Sequence, residues 1–314
     1  MINKTFYRSF FLFLFFFIFM VSPAIAKETA DSLIWQISKK GQPNSYLIGT
    51  LHLGKKGSTL PKAFQAALNN SAVLVLETRS SPEYIAQNPY EAMQMFTHFT
   101  HKKSLRQTLG IQRLQAIRRI YAKSSLPELN LIFTPEAQIA PWVVWFYFSY
   151  DLVPDHYDLD NGIDMQLERQ AEKTGKHIIG LEHDEALIML KKIPDDVAIR
   201  AIDAVLANPQ KLGAQNAQMF RFYEQGRLQD LWQWVKQSNS LSYGLSAADA
   251  KLIDHLFYEQ LLKQRNQNWL SKIITMLPTN SHTIAVGAAH LAGENGLIAL
   301  LRQQGYQVVP IKMN

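Results

Sequence analysis

Four side chains able to bind a metal ion or move a proton stand where apolar, strand-length runs end. His52 comes at the end of "YLIGTLH", Glu77 ends "AVLVLE", Glu182 ends "HIIGLE" and His290 ends "TIAVGAAH". Each histidine lies three residues after a glycine, Gly49 and Gly287. A glycine there permits a sharp turn or unusual dihedral angles, so that the histidine can fold back over the strand end. Two neutral imidazoles with one or two carboxylates match a divalent transition-metal site that keeps an open coordination position. Such an ion lowers the pKa of bound water and polarises a carbonyl, and a carboxylate can serve as general base. The chain has no cysteine and no H-E-x-x-H helix, so the compact zinc motifs are absent.

For these groups to meet, the strands carrying them must be parallel neighbours, because open parallel sheets bind ligands at strand carboxyl ends near a switch in strand order. "SLIWQIS" and "SYLIGT" around "KKGQPN" read as a hairpin. Ser58 or Thr59 can cap a helix starting near Pro61, and "AVLVLE" reads as a strand buried on both faces, completing a strand–helix–strand unit. Residues from about 81 to 160 read as aromatic-rich helices, with "APWVVWFYFSYDL" the densest stretch. A helix and a strand follow in "NGIDMQLERQAEKTGKHIIGLE", then helices from about 185 to 277. The chain closes with strand, histidine turn, helix and the strand "YQVVPI". The expected fold is α/β, a central mixed or mostly parallel sheet with flanking helices and a helical cap inserted between its N- and C-terminal parts. The core would comprise about 30–80, 160–185 and 280–314, and the insertions about 81–160 and 185–277.

Further candidates sit on the helices. At 100° per residue Arg265 shares an arc with Tyr258, Leu261, Leu262, Trp269 and Met276. A cation in such a stripe either meets a buried anion or points into the site to steady an oxyanion. Asp164, at a helix start in "GID", is a secondary candidate whose alternative role is capping. Glu182 could likewise cap the next helix, and Glu77 could pair with Arg79. His98 and His101 read as solvated histidines, and His183 as incidental.

The N-terminus has the form of an export signal. Lys4 and Arg8 precede an apolar run at 10–21, and "SPAIA" offers a small-residue cleavage site after Ala26. The run falls short of the roughly 20 residues that span a bilayer. Residues 1–26 are therefore expected to be removed, leaving 27–314 as one periplasmic or secreted domain with no stable membrane anchor. The formal charge of +6 includes Lys4 and Arg8, and no dense basic cluster points to nucleic acid.

The blocks "IGTLHLG", "LVLET", "PW", "GID", "GLE", "RN" and "VGAAHLAGENGLIALLRQQGYQVVPI" together resemble the TraB/GumN family, the group that includes PrgY and Tiki, in order over about 33–312. The resemblance implies a fold related to the ChaN and erythromycin-esterase group. It also implies a hydrolase dependent on a divalent transition metal (Mn, Co or Zn) that acts on a peptide or protein. By position the family histidines fall on His52 and His290, the glutamate on Glu77, and the "RN" pair on Arg265 and Asn266. Metal ligands would be His52, His290, Glu77 and Glu182, with Glu77, Arg265, His52 and His290 in catalysis. The chain departs from the pattern at "LEHDEAL", where many relatives read "LETxxEQ". The competing expectation is a non-catalytic haem- or peptide-binding protein, with residues 141–150 lining an apolar site and Tyr147 or Tyr150 on iron.

Overall fold

The structure, a computed structural model, describes residues 31–121, 129–152, 156–237 and 242–313, and the side chains of 129 and 149–151 fall outside the description. The export signal also lies outside the described residues. Eight strands are present among the described residues, β1 (Ile34–Ser38), β2 (Ser45–Thr50), β3 (Gly54–Lys55), β4 (Val73–Leu76), β5 (Tyr157–Asp158), β6 (His177–Gly180), β7 (His282–Gly287) and β8 (Gln307–Pro310). Six form one sheet in the order β6-β4-β7-β2-β1-β8, while β3 and β5 pair separately. The expected hairpin is β1 against β2, with Ile34 opposite Ile48. β8 closes the far edge antiparallel to β1.

The other contacts within this sheet are all parallel: β2 with β7, β7 with β4, and β4 with β6. The C-terminal β7 slots between β2 and β4, which are linked through the helix Lys62–Asn69. This single insertion brings the carboxyl ends of β6, β4, β7 and β2 to one edge. β4 is buried along its whole length, as its unbroken apolar sequence requires. The helix before it starts at Pro61, which acts as N-cap with no side-chain hydrogen bond, so Ser58 and Thr59 do not cap it.

One buried cluster surrounds the sheet, drawing on Trp35, Leu47, Phe64, Leu74, Val286 and Leu301. A second lies among the helices between β4 and β7, and it takes in Trp142, Val144, Trp145 and Phe148 from the helix Pro141–Asp151. The aromatic helix is therefore core, and Tyr147 packs its ring on Phe133 at 6.1 Å. Tyr150 has no described side chain.

Past β2 the chain is clamped against the start of the helix Ile163–Lys173. Ile163 N–H donates to the Leu51 carbonyl at 3.0 Å. A Cβ at Gly162 would lie 2.3 Å from the His52 carbonyl oxygen, so only glycine lets the two backbones approach. Gly162→Ala is expected to push them apart and cost about 1–3 kcal/mol, the range for overpacking a tight interior contact. Urea unfolding would measure it, and an unchanged midpoint would contradict the clamp.

Candidate functional site

Arg265 is the hub of the sheet edge. It opens the helix Arg265–Met276 and is buried, 7% exposed. Its Nε donates to both oxygens of Glu182 at 3.0 Å, and its Nη2 donates to Glu182 Oε1 at 2.7 Å and to Glu77 Oε2. Its Nη1 donates to the Leu261 carbonyl at 3.2 Å and faces His290 Nε2 at 3.1 Å. One guanidinium thus ties the exits of β4, β6 and β7. The indole of Trp269 lies under it at 4.5 Å, donates to Glu182 Oε2 at 3.0 Å, and stacks on the His290 ring at 4.5 Å.

The residues before Arg265, Leu256–Gln264, wind as a π-helix, whose i→i+5 bonding turns less per residue than an α-helix. The expected arc therefore breaks at this point. Tyr258 donates to the Val235 carbonyl at 2.7 Å, on another surface, while Trp269, one α-turn after Arg265, stays on its face.

His290 sits in a 3₁₀ turn (Ala288–His290) after β7 and is 4% exposed. Asn266 fixes its protonation. The Asn266 amide nitrogen donates to the backbone oxygens of His290 (3.1 Å) and Asn295 (2.8 Å), so its side-chain oxygen must accept the 2.7 Å bond from His290 Nδ1. The proton is on Nδ1, and Nε2 presents a lone pair, 3.9 Å from Glu77 Oε1. Burial pushes the imidazole down to about 3, so it stays neutral at physiological pH.

His52 differs. Its side chain is 47% exposed and its Nδ1 pairs with Asp164 Oδ2 at 2.9 Å. The Asp164 carboxylate raises the His52 pKa to about 9, favouring the imidazolium. Asp164 Oδ1 is buried and, among the described residues, has no hydrogen-bond partner. Both histidines thus have Nδ1 held by an oxygen, an arrangement that orients metal-ligating imidazoles, and an ion would have to replace the Arg265 hydrogen bond at His290 Nε2 and the proton at His52 Nε2.

Glu77 is held on two sides. Gly287 N–H donates to its Oε1 at 2.6 Å, and Arg265 takes Oε2. Burial alone would raise this carboxyl, but the guanidinium, the two imidazoles and the Gly287 N–H together outweigh it and lower the pKa to about 2. For Glu182 burial prevails and pushes the pKa up. Expected as a ligand, Glu182 has both oxygens engaged by Arg265 and Trp269. It does not cap the helix Glu185–Leu190, and Arg79 pairs with Glu168 and Glu172 rather than with Glu77.

Of the sharp turn or unusual dihedral angles expected at Gly49 and Gly287, positive φ occurs at neither, while Gly287 does lead directly into the 3₁₀ turn of His290. A Cβ on Gly49 would lie 3.1 Å from Ala288, so its use is close packing of β2 on the histidine turn, while Gly287 offers its N–H to Glu77. His98 is not simply solvated either, since its Nε2 lies 2.7 Å from Asp184, and His101 and His183 pair with Asp195 and Glu91. Trp269 and Tyr223, whose hydroxyl donates to the Gly49 carbonyl at 2.8 Å, complete the surroundings. Trp269 was visible in sequence only as an apolar position four residues after Arg265, and Tyr223 carried no signal.

Among the described residues no three His, Asp or Glu side chains lie close enough together to enclose a metal ion. The donor chemistry nonetheless fits one. Two imidazoles have anchored Nδ1 atoms, Asp164 Oδ1 has no partner among the described residues, and the buried Glu182 and partly buried Glu77 share one guanidinium. The cluster can therefore accept further positive charge.

Arg265→Met would leave both carboxylates without their cation, at a cost of about 3–5 kcal/mol near pH 7. The Glu77 pKa lies below its unfolded value of 4.5, so this stabilisation is complete above pH 4.5 and is lost as pH falls towards about 2. The gap between wild type and variant should therefore shrink on acidification. Urea titrations at pH 7 and pH 4 check this, and an equal gap at both would contradict the pairing.

Comparisons with known proteins identify the family of the chain. An uncharacterized protein of Escherichia coli (strain K12), YbaP, is 26% identical over 268 residues, 85% of this chain and 90% of its own. The "Metalloprotease TIKI homolog" of Amphimedon queenslandica is 22% identical over 317 residues, and "Metalloprotease TIKI2" of Xenopus tropicalis is 22% identical over 321. These matches take in 89% and 90% of this chain but only 61% and 60% of theirs, so it spans about three fifths of their length. No solved structure matches the chain at a significant level. The profile of the TraB/PrgY/gumN family matches residues 33–310, from the start of β1 to the end of β8, and the chain belongs to that family.

Proposed function

We propose that the protein is an exported hydrolase dependent on a divalent transition metal and acting on peptide bonds. The observation that carries this reading is the pair of imidazoles with Nδ1 fixed, one by Asp164 and one by Asn266, beside the ionised carboxylate of Glu77. Two relatives bear the name metalloprotease, which supports the reaction class.

His52, His290 and Glu77 would hold the ion. When bound it would supply an activated water at neutral pH and polarise the scissile carbonyl. The rest follows from the chain's own groups. Asn266 keeps the His290 proton on Nδ1, so its Nε2 can only accept. Asp164 orients the His52 ring and takes its Nδ1–H. Arg265 keeps Glu77 ionised, which makes that carboxylate a good ligand and a poor general base, because a group with a pKa near 2 scarcely binds protons at neutral pH. The Arg265 N–H groups are all taken by Glu77, Glu182, His290 and the Leu261 carbonyl, so the guanidinium acts by holding these groups in place rather than by meeting a substrate oxygen.

The test is elemental analysis of the chain from Lys27 onward, after dialysis against Mn, Co and Zn, beside the His52→Ala, His290→Ala double variant. The expected result is about one ion per wild-type chain and almost none in the variant. Loaded wild type should cleave members of a peptide library, and the variant should cleave none. Glu77→Gln, which keeps the side-chain volume, should weaken metal binding by 10-fold or more. Equal metal in wild type and double variant would overturn the reading.

A further inference from the structure

The helix Ile163–Lys173 carries Asp164, Glu168 and Glu172, each four residues after the last. Four residues turn the helix by about 400°, so the three carboxylates stand in one row, about 12 Å long, along one side. They meet the sheet edge at two separate places. Asp164 holds His52, just past β2, at 2.9 Å. Glu168 and Glu172 hold the segment just past β4, where Arg79, Ser80 and Ser81 follow Glu77. Glu168 grips hardest and is 1% exposed. Its Oε2 accepts the backbone N–H groups of Ser80 at 3.0 Å and Ser81 at 2.9 Å, and its Oε1 accepts from Arg79 Nε at 3.1 Å. Glu172 Oε1 accepts from Arg79 Nη2 at 2.8 Å and from the Ser81 hydroxyl at 2.6 Å.

Burial pushes the Glu168 pKa up, so a carboxylate is held there at a cost. An apolar side chain would fill the space without that cost, but it could not fix two consecutive backbone N–H groups. The place of the row in the fold shows what needs fixing. β2 and β4 are not neighbours, because β7 lies between them. The strands end at Thr50 and Leu76, so His52 and Glu77 both lie beyond them. The start of the helix is pinned to the β2 exit a second time, by Ile163 N–H on the Leu51 carbonyl at 3.0 Å. One rigid helix thus runs from the exit carrying His52 to the exit carrying Glu77, as a brace outside the sheet.

We infer that Glu168 is a positioning residue, which acts through Ser80 and Ser81 to set the separation of Glu77 from His52. It touches neither of them. The brace stands whether or not an ion binds, while its use in holding a metal rests on the hydrolase reading.

Amide hydrogen exchange tests it on the chain from Lys27 onward. Two N–H groups report the two ends of the brace: Gly287, bound to Glu77 Oε1, and Ile163, bound to the Leu51 carbonyl. Their rates are taken relative to the slowest amides of the sheet, so that a general loss of stability does not count. Glu168→Gln keeps the volume but turns one acceptor into a donor facing Arg79 or the serine amides. It should quicken both amides at least tenfold. Glu172→Gln, milder because Glu172 is partly exposed, should quicken both several-fold. Val144→Ala, in the separate helical cluster, destabilises the chain without touching the brace and should quicken neither. The inference is overturned if either amide keeps its wild-type relative rate in Glu168→Gln, or if Val144→Ala quickens both as much. Metal titration is the second readout. Glu168→Gln should weaken binding of Mn, Co or Zn at least tenfold and Val144→Ala should not, and equal affinity in Glu168→Gln and wild type would also overturn it. A wild type that takes up no metal would sink the hydrolase reading alone, and the exchange rates would still decide this one.

Discussion

A buried guanidinium between a buried and a partly buried carboxylate is the interaction on which the sheet edge depends. Charges out of water persist only when each finds partners, and the Arg265 partners come from chain segments far apart in sequence: Glu77 after β4, Glu182 after β6 and His290 after β7. The cation therefore fixes strand exits as well as charges. If β7 paired at the sheet edge instead of between β2 and β4, His290 and Gly287 would leave Glu77, and the carboxylate would lose two of its contacts. A well-packed apolar cluster of the same volume would serve stability as well as this ion pair or better. Its presence is more readily explained by what two carboxylates and a cation can do at a strand edge than by what they add to the fold.

The two histidines look equivalent in sequence and are opposite in environment. Their strands run side by side in parallel register, Thr50 beside Gly287, yet the chains leave differently. After β7 a 3₁₀ turn tucks His290 under Trp269, away from water. After β2 the chain bends past Gly162 and leaves His52 half open beside Asp164. The buried ring is neutral and locked in one tautomer. The open ring favours a proton that only a carboxylate neighbour sustains. Any substrate approaching this edge meets the His52 side, because His290, Glu182 and Arg265 are covered.

Much of this could be read from the chain, and the reasons for the rest are physical. Strand ends were legible because apolar runs of four to six residues stop at a polar group. The α/β class and the helical material between the sheet segments followed from the same runs. Strand order was not legible, because the insertion of β7 is decided by closure over some two hundred intervening residues. The side-chain network was only partly legible. The phase of Arg265 depends on a π-helix that a fixed 100° step cannot anticipate. The glycines of the two histidine motifs suggested backbone freedom, while in the fold they provide room for Ala288 and an N–H for Glu77. His98 looked solvated because nothing near it in sequence announces Asp184.

The two glutamates end neighbouring parallel strands and are nevertheless unlike. Glu182 is enclosed by Arg265 and the Trp269 indole, three donors on two oxygens, and burial raises its pKa. Glu77 has one backbone donor and one guanidinium contact, and its pKa falls to about 2. An enclosed carboxylate with both oxygens engaged serves best as a support that holds the guanidinium in place. An ionised carboxylate with an oxygen 3.9 Å from an imidazole lone pair is the better donor for a cation. Charge points the same way. One guanidinium cannot neutralise two ionised carboxylates, so the cluster either takes a proton, favoured on Glu182, or takes a cation, favoured at Glu77. The division of labour between the glutamates thus follows from how many donors each meets.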